Sequence, residues 1–212
     1  NYNSVKNMIS YLGHDSEIIE EPKDLDNASG IIFPGVGSFD FCMSKLEPFV
    51  NILKNKVENE KIPLFLILDQ ISDVRNFGAI LRTAECTGVD GVIIQKKGGA
   101  PVSGDTVKTS AGAIFNIPIC KVDHIKDAIY YLQGSGITTI AATEKTQDTI
   151  YNLELKKPMA IIMGSEGLGV SKSVLSIVDK KASLPLLGVI NSLNVSVACG
   201  ALLYEVVRQR SK

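Results

Sequence analysis

Residues 158–169 read PMAIIMGSEGLG, in which five apolar residues lead into three glycines within six positions. An uninterrupted apolar run predicts a strand that is buried on both faces, as in the parallel sheets of α/β proteins. The glycines allow positive φ and a close approach of the backbone to a ligand. Their G-x-x-G-x-G spacing matches neither the dinucleotide fingerprint nor a phosphate-binding P-loop. A tight structural turn and a ligand-binding turn therefore both stay open.

Buried strands and helices alternate on both sides of this segment. The apolar runs predict strands, and segments with helical spacing that end at glycines predict helices between them. This alternation predicts an α/β fold, a parallel sheet with helices on both faces. The predicted strands lie within 63–69, 91–95, 111–120, 137–144, 158–164 and 181–187, and the predicted helices within 76–88, 127–136, 171–180 and from about 194 to the C-terminus.

The composition limits the class of protein. Apolar residues make up 45% of the 212 residues, which is enough for a sizeable core. The four cysteines form no CxxC pair, so we expect reduced thiols and no metal site. No apolar run approaches the ~20 residues of a membrane span, so we expect a cytoplasmic protein without membrane contact. Charge is uneven: residues 1–63 hold six Lys against ten Asp and Glu, and every Arg lies beyond them.

Two further segments carry clustered polar residues. In DQISDVRNFGAILRTAE (69–85), Asn76 is predicted to cap the helix that follows the strand, and Arg82 to project from a similar face. In LPLLGVINSLNVSVACG (184–200), uncharged Asn and Ser residues precede the last helix. Taken singly, each segment is also explained by an ordinary capped helix with surface side chains.

Taken together, the three segments resemble the signature motifs of the SpoU/TrmH branch of the SPOUT methyltransferases, over residues 63 to 212. The resemblance is closest to enzymes that methylate the ribose 2′-hydroxyl of a guanosine in 23S ribosomal RNA. It implies a C-terminal trefoil knot, an exception to the rule that chains are unknotted. It also implies S-adenosylmethionine as cofactor, RNA as partner, and a homodimer formed through the C-terminal helix.

The resemblance also assigns roles to single residues. Arg82 falls on the catalytic arginine, which we interpret as an electrostatic stabiliser of the 2′-oxyanion, because a guanidinium stays protonated. The polar motif positions that orient this arginine and the ribose are Asn76, Glu166, Ser192 and Asn194. The positions implied for cofactor binding are Gly164, Leu184 and Leu193, with Met163, Thr143 and Leu186 as neighbours in the same pocket.

Residues 1–62 resemble a different family, the glutaminase subunit of imidazole glycerol phosphate synthase, most specifically in PGVGSFD (34–40). The nucleophile turn of that family is missing, and Cys42 is interpreted as a core residue, so no amidotransferase activity is expected. We predict a chimera with a flavodoxin-like N-terminal fragment (1–62), whose strand GIIFPG pairs beside PLFLILD, and a methyltransferase domain (63–212). The alternative hypothesis is an engineered α/β scaffold that folds without catalytic activity.

Overall fold

A computed structural model describes residues 6, 9, 10, 13–17 and 62–211. In the described part, six strands and five helices alternate along the chain from residue 64 onward. The strands are β1 (Leu64–Asp69), β2 (Gly91–Gln95), β3 (Ile119–Val122), β4 (Thr138–Ala142), β5 (Met159–Gly164) and β6 (Lys180–Ala182). The helices are α1 (Val74–Cys86), α2 (Gly104–Thr109), α3 (Ile125–Gly134), α4 (Lys172–Leu175) and α5 (Val195–Arg210), and 3-10 turns span Ala113–Phe115 and Ile150–Asn152.

The six strands form one sheet with the order β3-β2-β1-β5-β4-β6. Every neighbouring pair is parallel. β1 is central and pairs with β5 along its whole length, from Leu64 opposite Met159 to Asp69 opposite Gly164. The predicted parallel sheet is therefore confirmed.

The alternation of side chains along the central strands builds a core on each face of the sheet. On one face, Leu66 of β1 and Ile161 of β5 join a cluster that includes residues of α1 and α5. On the other face, Ile67 and Ile162 join a cluster that includes residues of α3 and α4. Helices cover both faces, as the uninterrupted apolar runs predicted.

Helix α1 packs closely against two other helices. Gly78 faces α2, where an added Cβ would lie 2.0 Å from the Thr109 hydroxyl oxygen, so only glycine fits there. Gly200 of α5 lies against the methyl group of Thr83, at 3.6 Å from the Cβ position. These contacts fix the position of α1 relative to α2 and to α5.

Several element predictions change in detail. α4 is limited to four residues and β6 to three, so most of the predicted helix at 171–180 and of the predicted strand at 181–187 is irregular. α2 and the turn at Ile150–Asn152 were not predicted, since their sequences show no apolar period.

The predictions for residues 1–62 lie almost entirely outside the described residues, including Cys42, the PGVG turn and the flavodoxin-like fragment. One part of them is wrong. GIIFPG cannot pair beside PLFLILD, because β2 and β5 occupy both edges of β1. In the described part of the chain, no helix is both long enough and apolar enough to cross a membrane.

Candidate active site

The strand order reverses between β1 and β5. The chain leaves β1 toward β2 on one side of the sheet, and it leaves β5 toward β6 on the other. Connections that diverge in this way open a crevice at the carboxyl ends of the two strands, where ligands bind in open α/β sheets. Asp69 and Gly164 are the paired last residues at this point.

The glycine-rich segment after β5 folds into a tight turn over the strand end. Ser165 and Gly169 form a short antiparallel bridge, and Gly167 and Gly169 have φ of 87° and 69°. At Gly164, an added Cβ would lie 2.0 Å from backbone atoms of Gly169 and Val170. The turn therefore rests directly on the backbone of β5, and it holds Glu166 at the crevice.

Asp69 supports the same turn and was not singled out in the sequence. Its carboxylate is 2% exposed and accepts a hydrogen bond of 2.8 Å from the Ser171 backbone N–H. The available signal was an acidic residue closing an otherwise apolar strand, LFLILD. Asp69 thus ties the end of β1 to the chain that follows the glycine turn.

Asn194 joins the three motif segments at one point. Its Oδ1 accepts hydrogen bonds from the backbone N–H groups of Ser196 (3.0 Å) and Val197 (3.3 Å) and so caps α5. Its Nδ2 donates to Asn76 Oδ1 (2.9 Å) and to Glu166 Oε1 (2.6 Å). The cap fixes the amide orientation, because only the oxygen can accept from the two N–H groups. The donating side is thereby directed at the other two motifs.

Asn76 differs from its predicted role. Asp73 is the N-cap of α1, and its carboxylate accepts from the backbone N–H groups of Arg75 and Asn76 at 2.8 Å each. Asn76 lies in the first turn, inside the helix. Its side chain is therefore available to accept from Asn194.

Arg82 and Ser192 are both exposed and lie outside the hydrogen-bonded group that Asn194 forms in the described part of the chain. Six residues along a helix correspond to about 9 Å of rise and a rotation of about 240°. Arg82 therefore does not project from the same face as Asn76, which corrects the prediction of a similar face.

The residues predicted to bind the cofactor divide into two groups. Thr143 follows β4, Met163 and Gly164 end β5, and Leu184 lies shortly after β6. Because β5, β4 and β6 are neighbours in the sheet, these four residues lie along one edge. Leu186 and Leu193 instead belong to residues 185–194, all of which are exposed.

A cleft of about 490 Å³ lies on the other side of the glycine turn from the edge formed by β5, β4 and β6. Its lining comes from the ends of β1, β2 and β5 and is mostly polar. The lining residues are Gln70, Ser72, Gln95, Lys97, Gly98, Ser165, Glu166 and Leu168. Glu166 both lines this cleft and bonds Asn194, so it connects the two sides of the site.

Cys199 offers no candidate nucleophile at this site. Cys199 is fully buried in α5, and burial raises the pKa of its thiol to about 12. It is therefore a neutral packing residue at physiological pH. Among the described residues, no group of three or more His, Cys, Asp or Glu side chains is arranged to hold a metal ion.

Residues 63–204 match the SpoU rRNA Methylase family. A putative TrmH family tRNA/rRNA methyltransferase of Staphylococcus aureus is 42% identical over 163 residues, which are 76% of this chain and 65% of that protein. The 23S rRNA (guanosine-2′-O-)-methyltransferase RlmB of Pseudomonas aeruginosa is 38% identical over 162 residues, with the same two coverages. The chain thus spans about 65% of the length of these curated relatives.

Solved structures share the fold. The SpoU methyltransferase AviRb of Streptomyces viridochromogenes in complex with AdoMet has a TM-score of 0.66 at 27% identity, covering 72% of this chain and 60% of that one. A TrmH/SpoU tRNA modifying enzyme of A. aeolicus has a TM-score of 0.65 at 29% identity, covering 79% of this chain and 85% of that one.

Proposed function

The chain belongs to the SpoU rRNA methylase family, and from that premise we propose that it is the S-adenosylmethionine-dependent catalytic domain of an RNA ribose 2′-O-methyltransferase. The observation that carries the proposal is the Asn194 side chain, which bonds both Asn76 and Glu166. One residue thereby joins the three segments that carry the motifs. A guanosine of 23S ribosomal RNA is the proposed acceptor, since RlmB of Pseudomonas aeruginosa is named for that reaction.

The edge formed by β5, β4 and β6 fits a cofactor of this type. Leu184 provides half-buried apolar surface that packs against the core cluster containing Met163, and Gly164 brings the turn backbone onto the strand end. The Asn and Ser residues that precede α5 carry no charge, which avoids the desolvation cost of an unpaired ion against an adenine ring. S-adenosylmethionine, when bound, supplies an electrophilic methyl group on a sulfonium centre.

The residues of the chain then position the acceptor hydroxyl and stabilise its developing charge. Methyl transfer requires the 2′-oxygen to lie in line with the methyl group while its proton passes to Glu166 or to water. We assign to Arg82 the stabilisation of the 2′-oxyanion, because a guanidinium remains charged and donates in a planar fork. Glu166 accepts from Asn194 and is thereby fixed as a hydrogen-bond acceptor for the ribose. Ser192, in the exposed segment between β6 and α5, is assigned to orient the same ribose.

The connection from β6 to α5 supports a closed cofactor site. β6 lies two strands away from β5, yet α5 begins beside Glu166, which follows β5. Residues 183–194 must therefore run back across the carboxyl ends of β4 and β5. We assign to this segment the trefoil knot of the family and the covering of the cofactor by Leu186 and Leu193.

A homodimer through α5 is part of the same proposal. Val197 and Tyr204 are 57% and 56% exposed on one side of α5, and Ala201 lies between them on the same face. The connecting segment adds Leu187 and Val189, which are 99% and 97% exposed. Exposed apolar side chains of this kind are typical of an interface between protein chains. A cytoplasmic location follows from the need to meet RNA and S-adenosylmethionine.

Cofactor binding and methyl transfer test the proposal separately. We expect S-adenosylhomocysteine to bind the chain in a calorimetric titration; stable folding without binding at millimolar ligand would instead support the inert scaffold.

We expect Arg82→Ala to reduce methyl transfer to ribosomal RNA at least ~100-fold, the scale of one lost oxyanion contact, with cofactor affinity unchanged. Transfer that survives this substitution would refute the role of Arg82. Arg75→Ala, an exposed arginine on the same helix, is the matched control for charge.

A further inference from the structure

We propose that the cleft between the ends of β1, β2 and β5 binds the nucleoside monophosphate unit of RNA whose ribose accepts the methyl group. This rests on the proposed function and names the substrate contacts of that site. The cleft of about 490 Å³ falls within the roughly 300–1,000 Å³ typical of small-ligand sites. Glu166 separates it from the cofactor edge, so a ribose bound at Glu166 would have its base and phosphate in the cleft.

The polar lining fits the edge of a nucleobase. Gln70 and Gln95 each present an amide with donors and an acceptor, which is the pattern that base edges require. Leu168 is 75% exposed at the rim and offers an apolar surface for the face of a base. A purely anionic ligand would not require two amides beside a carboxylate.

The backbone at Gln70 is held in a conformation that aims it at the cleft. Its φ is 60°, one of two positive values among non-glycine residues in the described part of the chain. The left-handed region is unfavourable for residues with a side chain, and such strain is concentrated at ligand sites. Gly, Asn and Asp adopt positive φ more readily than other residues, yet this position carries a glutamine. The glutamine side chain therefore calls for an explanation, which a ligand contact provides.

Ser165 has a hydrogen-bonding group that a ligand would satisfy. Its Oγ is buried and has no hydrogen-bond partner among the residues described, although the residue lines the cleft. Buried hydroxyl groups are almost always paired, and an unpaired one calls for a partner that completes it. A hydroxyl or base atom of a nucleotide beside Glu166 supplies that partner.

Lys97 provides the positive charge for the phosphate. The neighbouring Lys96 forms an ion pair with Asp123 at 3.2 Å, whereas Lys97 is exposed at the cleft. Gly99 lies so close to the Gln95 carbonyl oxygen that an added Cβ would be 2.6 Å from it, which turns the loop back over β2. Lysine contacts to phosphate supply much of the affinity for nucleic acids.

Nuclear magnetic resonance of the ¹⁵N-labelled chain tests the placement with two probes. We expect guanosine 5′-monophosphate to shift the amide signals of Gln70, Gly98 and Ser165, and to do so equally when S-adenosylhomocysteine is saturating. S-adenosylhomocysteine should instead shift those of Thr143 and Leu184. Unmoved cleft signals with the nucleotide, or its displacement by S-adenosylhomocysteine, would overturn the assignment. A nucleotide in the cleft without any cofactor binding would refute the methyltransferase proposal alone.

Substitution of Lys97 gives an independent kinetic readout. We expect Lys97→Ala to raise KM for an unmodified 23S rRNA transcript roughly tenfold, the scale of one charged contact, with kcat and the Kd of S-adenosylhomocysteine within about twofold. Lys126→Ala removes an exposed lysine of α3 that does not line the cleft, and should leave all three values unchanged. An equal KM for the transcript in the Lys97→Ala and Lys126→Ala variants would overturn the role of the cleft.

Discussion

At the scale of single residues, the site depends on the two ends of one asparagine amide. The Asn194 oxygen begins α5, and its nitrogen bonds α1 and the turn after β5. An aspartate in its place would keep the acceptor and lose the donor, because an ionised carboxylate only accepts. Helix capping and site assembly can therefore be separated by substitution.

We expect Asn194→Ala to lower the free energy of unfolding by about 1 kcal/mol through the lost cap, and to abolish most methyl transfer. Asn194→Asp should retain the cap but place a second carboxylate beside Glu166, and so reduce transfer with a smaller loss of stability. Urea unfolding followed by circular dichroism, together with a methyl-transfer assay, measures both effects. Equal stability losses in the two variants would contradict the dual role.

At the scale of elements, the sheet brings loops together that the sequence keeps apart. The periodicity of apolar residues located the central strands and the long helices, because burial on both faces leaves a local signal. The periodicity could not locate α2 or predict the bounds of α4, because these depend on contacts with other elements. The glycine turn shows the same dependence, since its shape follows from the way it rests on Gly164.

We expect Gly164→Ala to prevent the turn from closing on β5, because its Cβ would overlap the backbone of Gly169 and Val170 at 2.0 Å. Backbone overlap of this kind cannot be relieved by a rotamer change, so we expect a loss of about 3 kcal/mol or more of stability. Gly104→Ala at the start of α2 is the matched control, as nothing lies within 4 Å of its Cβ position. Thermal unfolding compares them, and similar midpoints would contradict the packing described.

The outer strand pair depends on an acid at the edge of the sheet. Asp179 accepts from the backbone N–H and the hydroxyl of Thr139, both at 2.8 Å. Burial raises the pKa of Asp179, but the hydrogen bonds from Thr139 and Gln133 outweigh it and lower the pKa below 3.8.

A lowered pKa means that the carboxylate stabilises the fold above pH 3.8, and that this contribution is lost as the pH falls through the folded-state value. We therefore expect Asp179→Asn to be less stable than the parent at pH 7, with a difference that shrinks below pH 3.8. Denaturant unfolding at several pH values measures this difference in the free energy of unfolding. A difference that stays constant into the acid range would contradict the assignment.

At the scale of the whole molecule, the last turn of α5 closes the described domain. Arg210 donates to the backbone carbonyls of Ile62, Pro63, Leu155 and Lys157, which precede β1 and β5. Burial lowers the pKa of Arg210, and the charge of Asp90 opposes this; the guanidinium stays protonated at neutral pH. One side chain thus joins the C-terminus to the entry of the two central strands.

We expect Arg210→Ala to lower the free energy of unfolding by on the order of 2 kcal/mol, since charged hydrogen bonds to four carbonyls are lost. Arg210→Lys should recover only part of it, because an ammonium group lacks the planar fork. Arg75→Ala, at an exposed position on α1, is the control for removal of charge. Full recovery by lysine in a urea titration would argue against the fork geometry.

By itself, the sequence determined the class of fold, the central strands and the three segments that carry the site, because each leaves a local pattern of apolar, glycine or amide residues. Tertiary structure alone decided how those segments meet. Asn76 and Asn194 are 118 residues apart in the chain, yet Asn194 Nδ2 lies 2.9 Å from Asn76 Oδ1. The structure also shows that Asp73 rather than Asn76 caps α1. The order of the strands sets these distances, and that order arises from the packing of whole elements, which no local pattern encodes.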